Sequence, residues 1–170
     1  QYAPQIAEKI DVLVDYYRLS IVRFTDNYTF GDEIELVKKY LNIISIIHNF
    51  EYKYIIDFDD ELKSMKTIQH IFQPIIENSI LHGINAAPDG IIKLSGHTDS
   101  EKIIISISDN GFGINAETVA ELNDYKSDKG CSYGIKNTFR RIKLYYGEKC
   151  DIKVTSVLGN GTEMKITIFR

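Results

Sequence analysis

The stretch SISDNGFGI, residues 106–114, places one acid and two glycines directly after an alternation of apolar and polar residues. A carboxylate held at the end of a strand, here Asp109, can accept a hydrogen bond from an exocyclic amine such as that of adenine. Gly111 and Gly113 carry no side chain, so they allow a flat ligand to approach the backbone closely. The alternative is a plain hairpin turn, because Asn-Gly after such an alternation is its strongest short-range signal.

A second candidate lies in QPIIENSILHG, residues 73–83, whose apolar spacing predicts a helix. On a helix Gln73 and Glu77 share one face, and Asn78 and His82 share another. An acid beside an amide can hold Mg²⁺ through oxygen ligands and orient a phosphate-bound water. The alternative is a solvated Glu-Asn pair followed by a histidine that caps the helix.

A third candidate lies in KGCSYGIKN, residues 129–137, where Gly130 and Gly134 precede a helix predicted to begin near Ile135. Backbone N–H groups at a helix N-terminus form a natural phosphate site. The Gly-Lys-Ser/Thr ending of a Walker loop is absent. An ordinary connecting loop remains the alternative for this glycine pair.

Two helices are predicted at the start of the chain. Residues 5–24, and the stretch that follows TDNYTFGDE, carry apolar side chains at three-to-four-residue spacing. The stripe of the second helix contains Ile34, Val37, Leu41, Ile44 and Ile47. The short polar link between the helices predicts an antiparallel helical hairpin. Covering a core and forming a dimer are both open roles for this hairpin.

From residue 51 onward, alternating strand patterns and helical patterns follow one another. Strands are predicted at residues 51–59, 90–98, 102–109, 151–157 and 162–169. Helices are predicted at residues 67–84, 116–124 and 133–147. Pro74 is expected near a helix start or at a bend, and Gly83 in the left-handed conformation at a helix end. Helices on one face of a mostly antiparallel sheet make an α+β fold, a two-layer α/β sandwich.

The composition, 44% hydrophobic and 26% charged over 170 residues, is that of a globular protein able to bury a core. The formal net charge of −4 and the lack of a long basic run argue against a nucleic-acid partner. Cys131 and Cys150 lack the spacing of a zinc site, which predicts reduced thiols in a cytosolic setting. No apolar run approaches the roughly eighteen residues of a membrane span. The opening QYAPQIAEK predicts that the chain is a piece of a longer protein.

The order of these features resembles the Bergerat-type ATP-binding domain shared by histidine kinases, type II topoisomerases, Hsp90 chaperones and mismatch-repair ATPases. Within that superfamily the chain resembles the LytS/YesM-type sensor histidine kinases. QPIIENSILHGI is similar to their Gln-Pro-Leu-Val-Glu-Asn-Ala-x-x-His-Gly, and YGIKNTFRRIKLYYG to their Gly-Leu-x-Asn-x-x-x-Arg-Leu helix. DYYRLSIVRF and GDEIELVKKYLNI resemble the linker helices that precede the ATP domain. The likeness covers nearly the whole chain and displaces the plain-hairpin interpretation.

The resemblance implies a role for each motif. Glu77 and Asn78 would be the catalytic residues, and Asn78 would also hold Mg²⁺. Asp109 would accept the adenine amine. The other implied nucleotide contacts are His82, Gly111, Gly113, Gly130, Gly134, Ile135, Lys136, Asn137 and Thr162. Residues 116–130 would form the ATP lid.

The implied function is to bind ATP with Mg²⁺ and to donate the γ-phosphoryl group to a histidine on an upstream helix that this chain lacks. The implied partners are a response regulator, that upstream helix and a second copy in a homodimer. Residues 1–50 would be a helical linker and partial dimerisation and phosphotransfer segment, and residues 51–170 the catalytic domain. This domain would be the cytoplasmic part of an inner- or plasma-membrane sensor. A non-catalytic nucleotide-binding or protein-interaction module of the same fold remains the alternative.

The chain departs from the family pattern in three places. Leu81 stands where many relatives carry a lysine, so one cationic phosphate contact is missing unless Lys136, Arg140 or Arg141 supplies it. Ser132 replaces the usual middle glycine of the phosphate loop. The phosphoacceptor stretch Pro-His-Phe-Leu-x-Asn is absent, and the four histidines of the chain have other surroundings. We therefore predict that the chain binds Mg²⁺-ATP without phosphorylating itself.

Overall fold

The structure, a computed structural model, describes Ile10, Val14, Lys126 and residues 27–84, 89–124 and 133–170. The strands in these ranges are β1 (Lys53–Phe58), β2 (Ile91–Thr98), β3 (Lys102–Asp109), β4 (Cys150–Ser156) and β5 (Thr162–Phe169). The α-helices are α1 (Phe30–His48), α2 (Asp60–Lys63), α3 (Gln73–Asn78), α4 (Ala116–Asn123) and α5 (Tyr133–Tyr146). π-Helical backbone over Ser79–Ile84 continues α3, and a 3₁₀ turn over Gly147–Lys149 joins α5 to β4.

The strands form one sheet in the order β1-β2-β3-β5-β4. β1 runs parallel to β2, and all other neighbouring strands are antiparallel. Alternate residues of β3 are buried, as expected for a strand that is covered on one face. Asp109 ends β3, paired with Ile92 of β2 on one side and with Thr162 of β5 on the other. The carboxylate of the first motif therefore lies on a central strand of the sheet.

The core lies between this sheet and the helices. Ile75 and Ile76 of α3 and Phe139 of α5 are buried in the same cluster as Leu94 of β2 and Ile105 of β3. A sheet that buries apolar side chains under helices on one face is a two-layer arrangement. The predicted α+β sandwich, with a mostly antiparallel sheet, is confirmed.

Capping residues set the ends of α1. The helix begins at Phe30, because the Thr29 hydroxyl accepts the Asp32 N–H at 3.2 Å and the Asp32 carboxylate accepts the Thr29 N–H at 3.0 Å. This reciprocal pair is a capping box. Asn49, with φ of 50°, ends the helix in the left-handed region. The second predicted helix is therefore confirmed, with a start earlier than its apolar stripe indicates.

The apolar stripe of α1 joins the core of the sheet. Ile34, Val37 and Leu41 are buried there, and Ile44 packs against them partly buried. Ile47 is 51% exposed, so the C-terminal end of the stripe does not pack into this core. Core packing, one of the two roles left open for this helix, is therefore the role of Ile34, Val37 and Leu41.

Most of the first predicted helix, residues 5–24, lies outside the described residues, so the helical hairpin stays a prediction. The division of the chain at residue 50 also stays a prediction. Within the described ranges, no helix combines the length and the apolar character that crossing a membrane requires.

The helix of the second motif is shorter than predicted. Instead of starting near residue 67, α3 begins at Gln73, with Pro74 in its first turn as expected. The residues before it are held in turns, since the Glu33 carboxylate accepts several of their backbone N–H groups. His70 in this segment has a φ of 57°. A left-handed residue cannot continue a right-handed helix, so this segment stays outside α3.

Candidate nucleotide-binding site

A cavity of about 360 Å³ opens between the π-helical turn, the end of β3, α4, α5 and β5. Its volume lies within the range of small-molecule sites, from about 300 to 1,000 Å³. The lining residues are Asn78, Ser79, His82, Gly83, Asp109, Gly113, Ile114, Thr118, Leu122, Ile135, Thr162 and Met164. All three sequence motifs contribute to this lining, although they are separated along the chain.

A larger groove of about 610 Å³ runs along α1 and beside α2. Two of its charged side chains, Lys38 and Glu35, are exposed and form an ion pair of 2.8 Å with each other. Lys63, also in this lining, lies 2.7 Å from Asp60. The smaller cavity is the better candidate, because it combines an apolar lining with a few polar groups, one of them a buried carboxylate.

Asp109 is the buried carboxylate of the cavity. Its Oδ1 accepts the Gly111 N–H at 3.0 Å, and the Ser79 hydroxyl and the Thr162 backbone N–H also bond to the carboxyl group. Burial raises the pKa of Asp109 above its ordinary value of 3.8, and these hydrogen bonds offset that rise only in part. The carboxylate is therefore fixed in place and poorly solvated, which favours an additional hydrogen-bond donor from a ligand.

The glycines around Asp109 allow backbone segments to meet at very short range. A Cβ on Gly83 would lie 2.8 Å from Asp109 Oδ1, and one on Gly111 would lie 2.1 Å from the Gly83 carbonyl carbon. The Phe112 N–H donates to the Gly83 carbonyl at 3.0 Å across the same contact. Gly83 does not have the positive φ predicted for a helix end, so its function here is close approach.

Gly113 completes the first motif. Its φ is 67°, and a Cβ there would lie 2.3 Å from the Val157 carbonyl oxygen in the β4–β5 turn. The chain then leads into α4 and does not return as a neighbouring strand. The plain-hairpin interpretation of SISDNGFGI is therefore wrong.

The Glu-Asn pair of the second motif lies at the end of α3. Asn78 Nδ2 donates to the Pro74 carbonyl at 2.7 Å, which leaves Oδ1 as the amide atom that can bind a cation. Glu77 accepts a hydrogen bond of 2.8 Å from Gln73, so the predicted pairing of these two residues is confirmed. Asn78 lines the cavity and Glu77 does not.

A magnesium ion fits this donor set. In the described part of the chain, no group of three or more His, Cys, Asp or Glu side chains could hold a metal ion. Mg²⁺ does not need such a cage, since it commonly takes a few protein oxygens and completes its coordination with substrate phosphates and water. The Asn78 amide oxygen, which lines the cavity, can provide one such protein oxygen.

The third motif is only partly described. α5 begins at Tyr133, the first residue of the predicted range 133–147 and two residues before Ile135, so Gly134 lies in its first turn. Ile135 lines the cavity, whereas Lys136 is buried away from the lining and Asn137 is exposed outside it. Gly130 and Ser132 lie outside the described residues, as do residues 125 and 127–129 of the predicted lid. The described first part of the lid forms α4.

Thr162 lies at the start of β5, beside Asp109 in the register of the sheet. Its hydroxyl lies 3.1 Å from the Ser156 hydroxyl, which also accepts the Ile114 N–H at 2.8 Å and donates to the Gly161 carbonyl at 2.7 Å. Ser156 thus ties the glycine loop to the β4–β5 hairpin. Sequence reasoning did not select it, because a serine at a strand end carries no distinctive pattern.

Ser79 is the second site residue that sequence reasoning missed. It is buried, lines the cavity and hydrogen-bonds to Asp109. Its place directly after the Glu-Asn pair was the available signal. His82 lines the cavity as an exposed side chain, and Leu81 beside it is 59% exposed.

Residues 64–170 match the family described as histidine kinase-, DNA gyrase B-, and HSP90-like ATPases. The fold agrees with solved structures at low sequence identity. The catalytic domain of the histidine kinase ThkA gives a TM-score of 0.57 at 14% identity, covering 81% of this chain and 92% of that one. The histidine kinase domain of the blue-light activated histidine kinase from Erythrobacter litoralis EL346 gives a TM-score of 0.56 at 16% identity. That match covers 96% of this chain and 74% of the other. The chain belongs to this ATPase family.

Several relatives are named as sensor kinases. The sensor histidine kinase YesM of Bacillus subtilis is 27% identical over 96% of this chain and 28% of its own length. The sensor histidine kinase YpdA of Escherichia coli is 29% identical over 95% of this chain and 25% of its own length. The sensor protein LytS of Staphylococcus haemolyticus is 25% identical over 85% of this chain and 25% of its own length. The chain therefore spans about a quarter of these relatives, and the resemblance to the LytS/YesM type is confirmed.

Proposed function

We propose that the cavity binds ATP together with Mg²⁺, and that the domain donates the γ-phosphoryl group to a histidine of a sensor kinase. The observation that carries this proposal is the Asp109 carboxylate, buried in the lining of a cavity that Asn78 also lines. A buried acceptor with a free lone pair recognises an amine of a flat ring, and an amide oxygen suits a phosphate-bound cation. One cavity thus offers contacts to both ends of a nucleotide.

The residues of the cavity divide the work of binding. Asp109 accepts the exocyclic amine of adenine, while apolar side chains such as Ile114, Leu122 and Met164 cover the base. Asn78 would hold Mg²⁺ through Oδ1, and the ion, when bound, neutralises charge on the phosphate oxygens. Glu77 is proposed as the acid next to this site that orients a water or accepts a proton.

In the transfer step an imidazole nitrogen of the acceptor histidine attacks the γ-phosphorus in line. A bond forms between that nitrogen and phosphorus, the bond from phosphorus to the bridging oxygen breaks, and ADP leaves. The protein contributes mainly positioning and charge stabilisation to such a reaction. Asn78 fixes the phosphate end of the nucleotide, and Asp109 fixes the other end.

The acceptor histidine is proposed to lie outside this chain. His48, the last residue of α1, has its Nδ1 2.6 Å from the hydroxyl of Tyr52, which lies in the connection to β1. His97 lies five residues after Ile92, the partner of Asp109, which is ~17 Å along the strand. Neither residue lines the cavity.

The other two histidines are also unsuited to the attack. His82 lines the cavity on the same helical segment as Asn78, so it is proposed to contact bound nucleotide from the wall. His70 Nδ1 lies 3.2 Å from Gln73 Oε1 at the start of α3. We therefore expect phosphoryl transfer only to a separate polypeptide that carries the acceptor helix.

The test uses the 170-residue chain, γ-labelled ATP, Mg²⁺ and a second polypeptide with an acceptor helix of a LytS/YesM-type kinase. We expect Mg²⁺-ATP binding by titration, no acid-labile label on the chain alone, and label on the added polypeptide. Stoichiometric label on the isolated chain would show that one of its own histidines is the acceptor. Absence of any Mg²⁺-ATP binding would favour the alternative of a non-catalytic module, which the exposed Leu81 in place of a phosphate-binding lysine supports.

The wider assignment follows from the same proposal. The phosphoryl group would pass from the histidine to an aspartate of a response regulator. The whole protein would be a homodimer, with this domain on the cytoplasmic side of an inner- or plasma-membrane sensor. The response regulator is supported by the names of the relatives as sensor histidine kinases, and the chain spans about a quarter of their length.

A further inference from the structure

Glu33 on α1 is a fully buried acid. Its Oε1 accepts the Tyr28 hydroxyl at 2.7 Å and the His70 N–H at 2.6 Å. Its Oε2 accepts the Ile71 N–H at 2.9 Å and the Phe72 N–H at 3.2 Å. A carboxylate out of water with four donors around it is held in one position, because losing any of them leaves a buried charge less satisfied.

The three backbone donors form the entry to α3. Consecutive N–H groups that converge on one anion make a backbone nest, and the left-handed φ of 57° at His70 produces that convergence. Phe72, the N-cap residue of α3, supplies no side-chain cap of its own. Glu33 acts as the cap instead, from a helix 37 to 39 residues earlier in the chain.

α3 is only six residues long and ends at Asn78. At 1.5 Å per residue, Asn78 lies ~9 Å from Phe72 along the helix. Because the helix is so short, a displacement of its first residues also displaces the amide oxygen of Asn78. Misplacement of a reacting group by about 1 Å can lower a rate on the order of a hundredfold.

A second helix holds the same entry segment from another direction. Arg141 Nη2 on α5 donates to the Gln69 carbonyl at 2.6 Å, and the Tyr146 hydroxyl donates to Thr67 Oγ1 at 2.8 Å. The segment from Thr67 to Phe72 is thus clamped between α1 and α5. A movement of α1 relative to α5 changes the start of α3.

We infer that Glu33 is a positioning residue, through which the place of α1 sets the orientation of Asn78 in the nucleotide cavity. This inference rests on the proposed role of Asn78 in holding Mg²⁺ and the phosphates. The position of α1 would then affect the part of the cavity that binds the phosphates. The adenine end, built on Asp109 at the end of β3, does not depend on Glu33.

The experiment replaces Glu33 by glutamine in the 170-residue chain and titrates Mg²⁺-ATP and adenosine separately. Glu33→Gln keeps the shape but turns an NH₂ group toward the N–H donors, so the helix entry must shift. We expect Mg²⁺-ATP to bind about tenfold more weakly, the size of one lost charged hydrogen bond, and adenosine to bind as before. Glu35→Gln, on the exposed side of the same helix in an ion pair with Lys38, should change neither affinity.

A stability-matched control separates positioning from simple destabilisation. Val37→Ala removes buried volume from the same helix but leaves Glu33 and its four hydrogen-bond donors unchanged, so it should lower Tm and leave both affinities unchanged. If Glu33→Gln behaves like Val37→Ala, Glu33 is only structural and the inference is wrong. Equal weakening of Mg²⁺-ATP and adenosine would overturn it as well.

Two further measurements make the result independent of folding and of ATP binding. Tyr28→Phe removes one of the four donors, and it should weaken Mg²⁺-ATP selectively by about threefold. In the unliganded chain, NMR should show a shifted Asn78 side-chain amide in Glu33→Gln but not in Val37→Ala. An unmoved Asn78 amide refutes the inference, even if the wild-type chain fails to bind ATP and the proposed function is itself wrong.

Discussion

Asp109→Asn should change nucleotide affinity and stability in opposite directions. The asparagine has the shape of the aspartate and stays neutral at all pH values. In the folded chain the carboxylate is buried and accepts hydrogen bonds from Gly111, Ser79 and Thr162. The neutral amide removes the buried negative charge as protonation does, and it replaces one acceptor oxygen by an NH₂ group.

The effect on binding follows from the hydrogen bond to adenine. A hydrogen bond to a charged group contributes about 1.5–3 kcal/mol. Since each 1.4 kcal/mol is a factor of about ten, Asp109→Asn should weaken ATP by roughly tenfold to a hundredfold. Adenosine should weaken by the same factor, because the lost contact is to the base and not to the phosphates.

The effect on stability follows from the raised pKa of Asp109. The folded state holds the proton of this acid more tightly than the unfolded state, whose value is close to 3.8. The contribution of the protonated Asp109 to the free energy of unfolding is therefore fully present below about pH 3.8 and is lost as pH rises through the raised folded pKa. At pH 7 the wild-type chain has the full free-energy cost of a buried, charged carboxylate, and the asparagine variant does not. Asp109→Asn should be the more stable protein there, and the difference should shrink as the pH is lowered.

The assay pairs calorimetric titration of ATP and adenosine with urea denaturation at pH 7 and pH 4.5. Asp151→Asn, at an exposed position on the edge strand β4, is the control and should match wild type in both measurements. A folded Asp109→Asn chain with wild-type affinity would remove Asp109 from adenine recognition. A stability difference that is the same at pH 7 and pH 4.5 would show that the buried charge of Asp109 does not produce it.

Two other substitutions test the walls of the cavity. Gly111→Ala places a Cβ 2.1 Å from the Gly83 carbonyl carbon, so the two backbone segments must move apart and weaken the hydrogen bond between Phe112 and Gly83. Overpacking and the weakened hydrogen bond should together lower the free energy of unfolding by about 3 kcal/mol. Gly134→Ala meets no atom within 4 Å and should shift urea denaturation by less than about 1 kcal/mol; equal effects would refute the close-approach argument. Leu81→Lys adds a cation on an exposed position next to His82 and should tighten ATP more than adenosine in titrations. Equal tightening of both ligands would argue against a phosphate near Leu81.

The sequence alone carried the parts of this protein that local chemistry determines. Strand alternation predicted the sheet, since burial of one face forces a period of two along each strand. Asp109 with its glycines could be recognised as a site element because acid, turn and strand end are adjacent in the chain. The order of the three motifs, matched to a known succession, predicted that they meet in one ATP-binding cavity.

Tertiary contacts decided the details that no local pattern encodes. The start of α3 depends on the Glu33 carboxylate, which is 37 residues away from His70, so the helical period over residues 67–72 predicted the wrong boundary. Gly83 was expected to end a helix, but its actual constraint is the carboxylate of Asp109 on a neighbouring strand. A residue's local preference is weak beside a buried charge or a backbone contact, and those depend on which distant segment lies next to it.

The same reason explains which site residues the sequence revealed and which it did not. Asn78 and Asp109 have distinctive neighbours in the chain, whereas Ser79 and Ser156 are ordinary residues that become site residues only through their partners in space. Serine hydroxyls form hydrogen bonds wherever the fold brings a partner within about 3 Å. The sequence therefore determined the chemistry of the cavity, and the packing of α1, α3 and β3 determined how that chemistry is held in place.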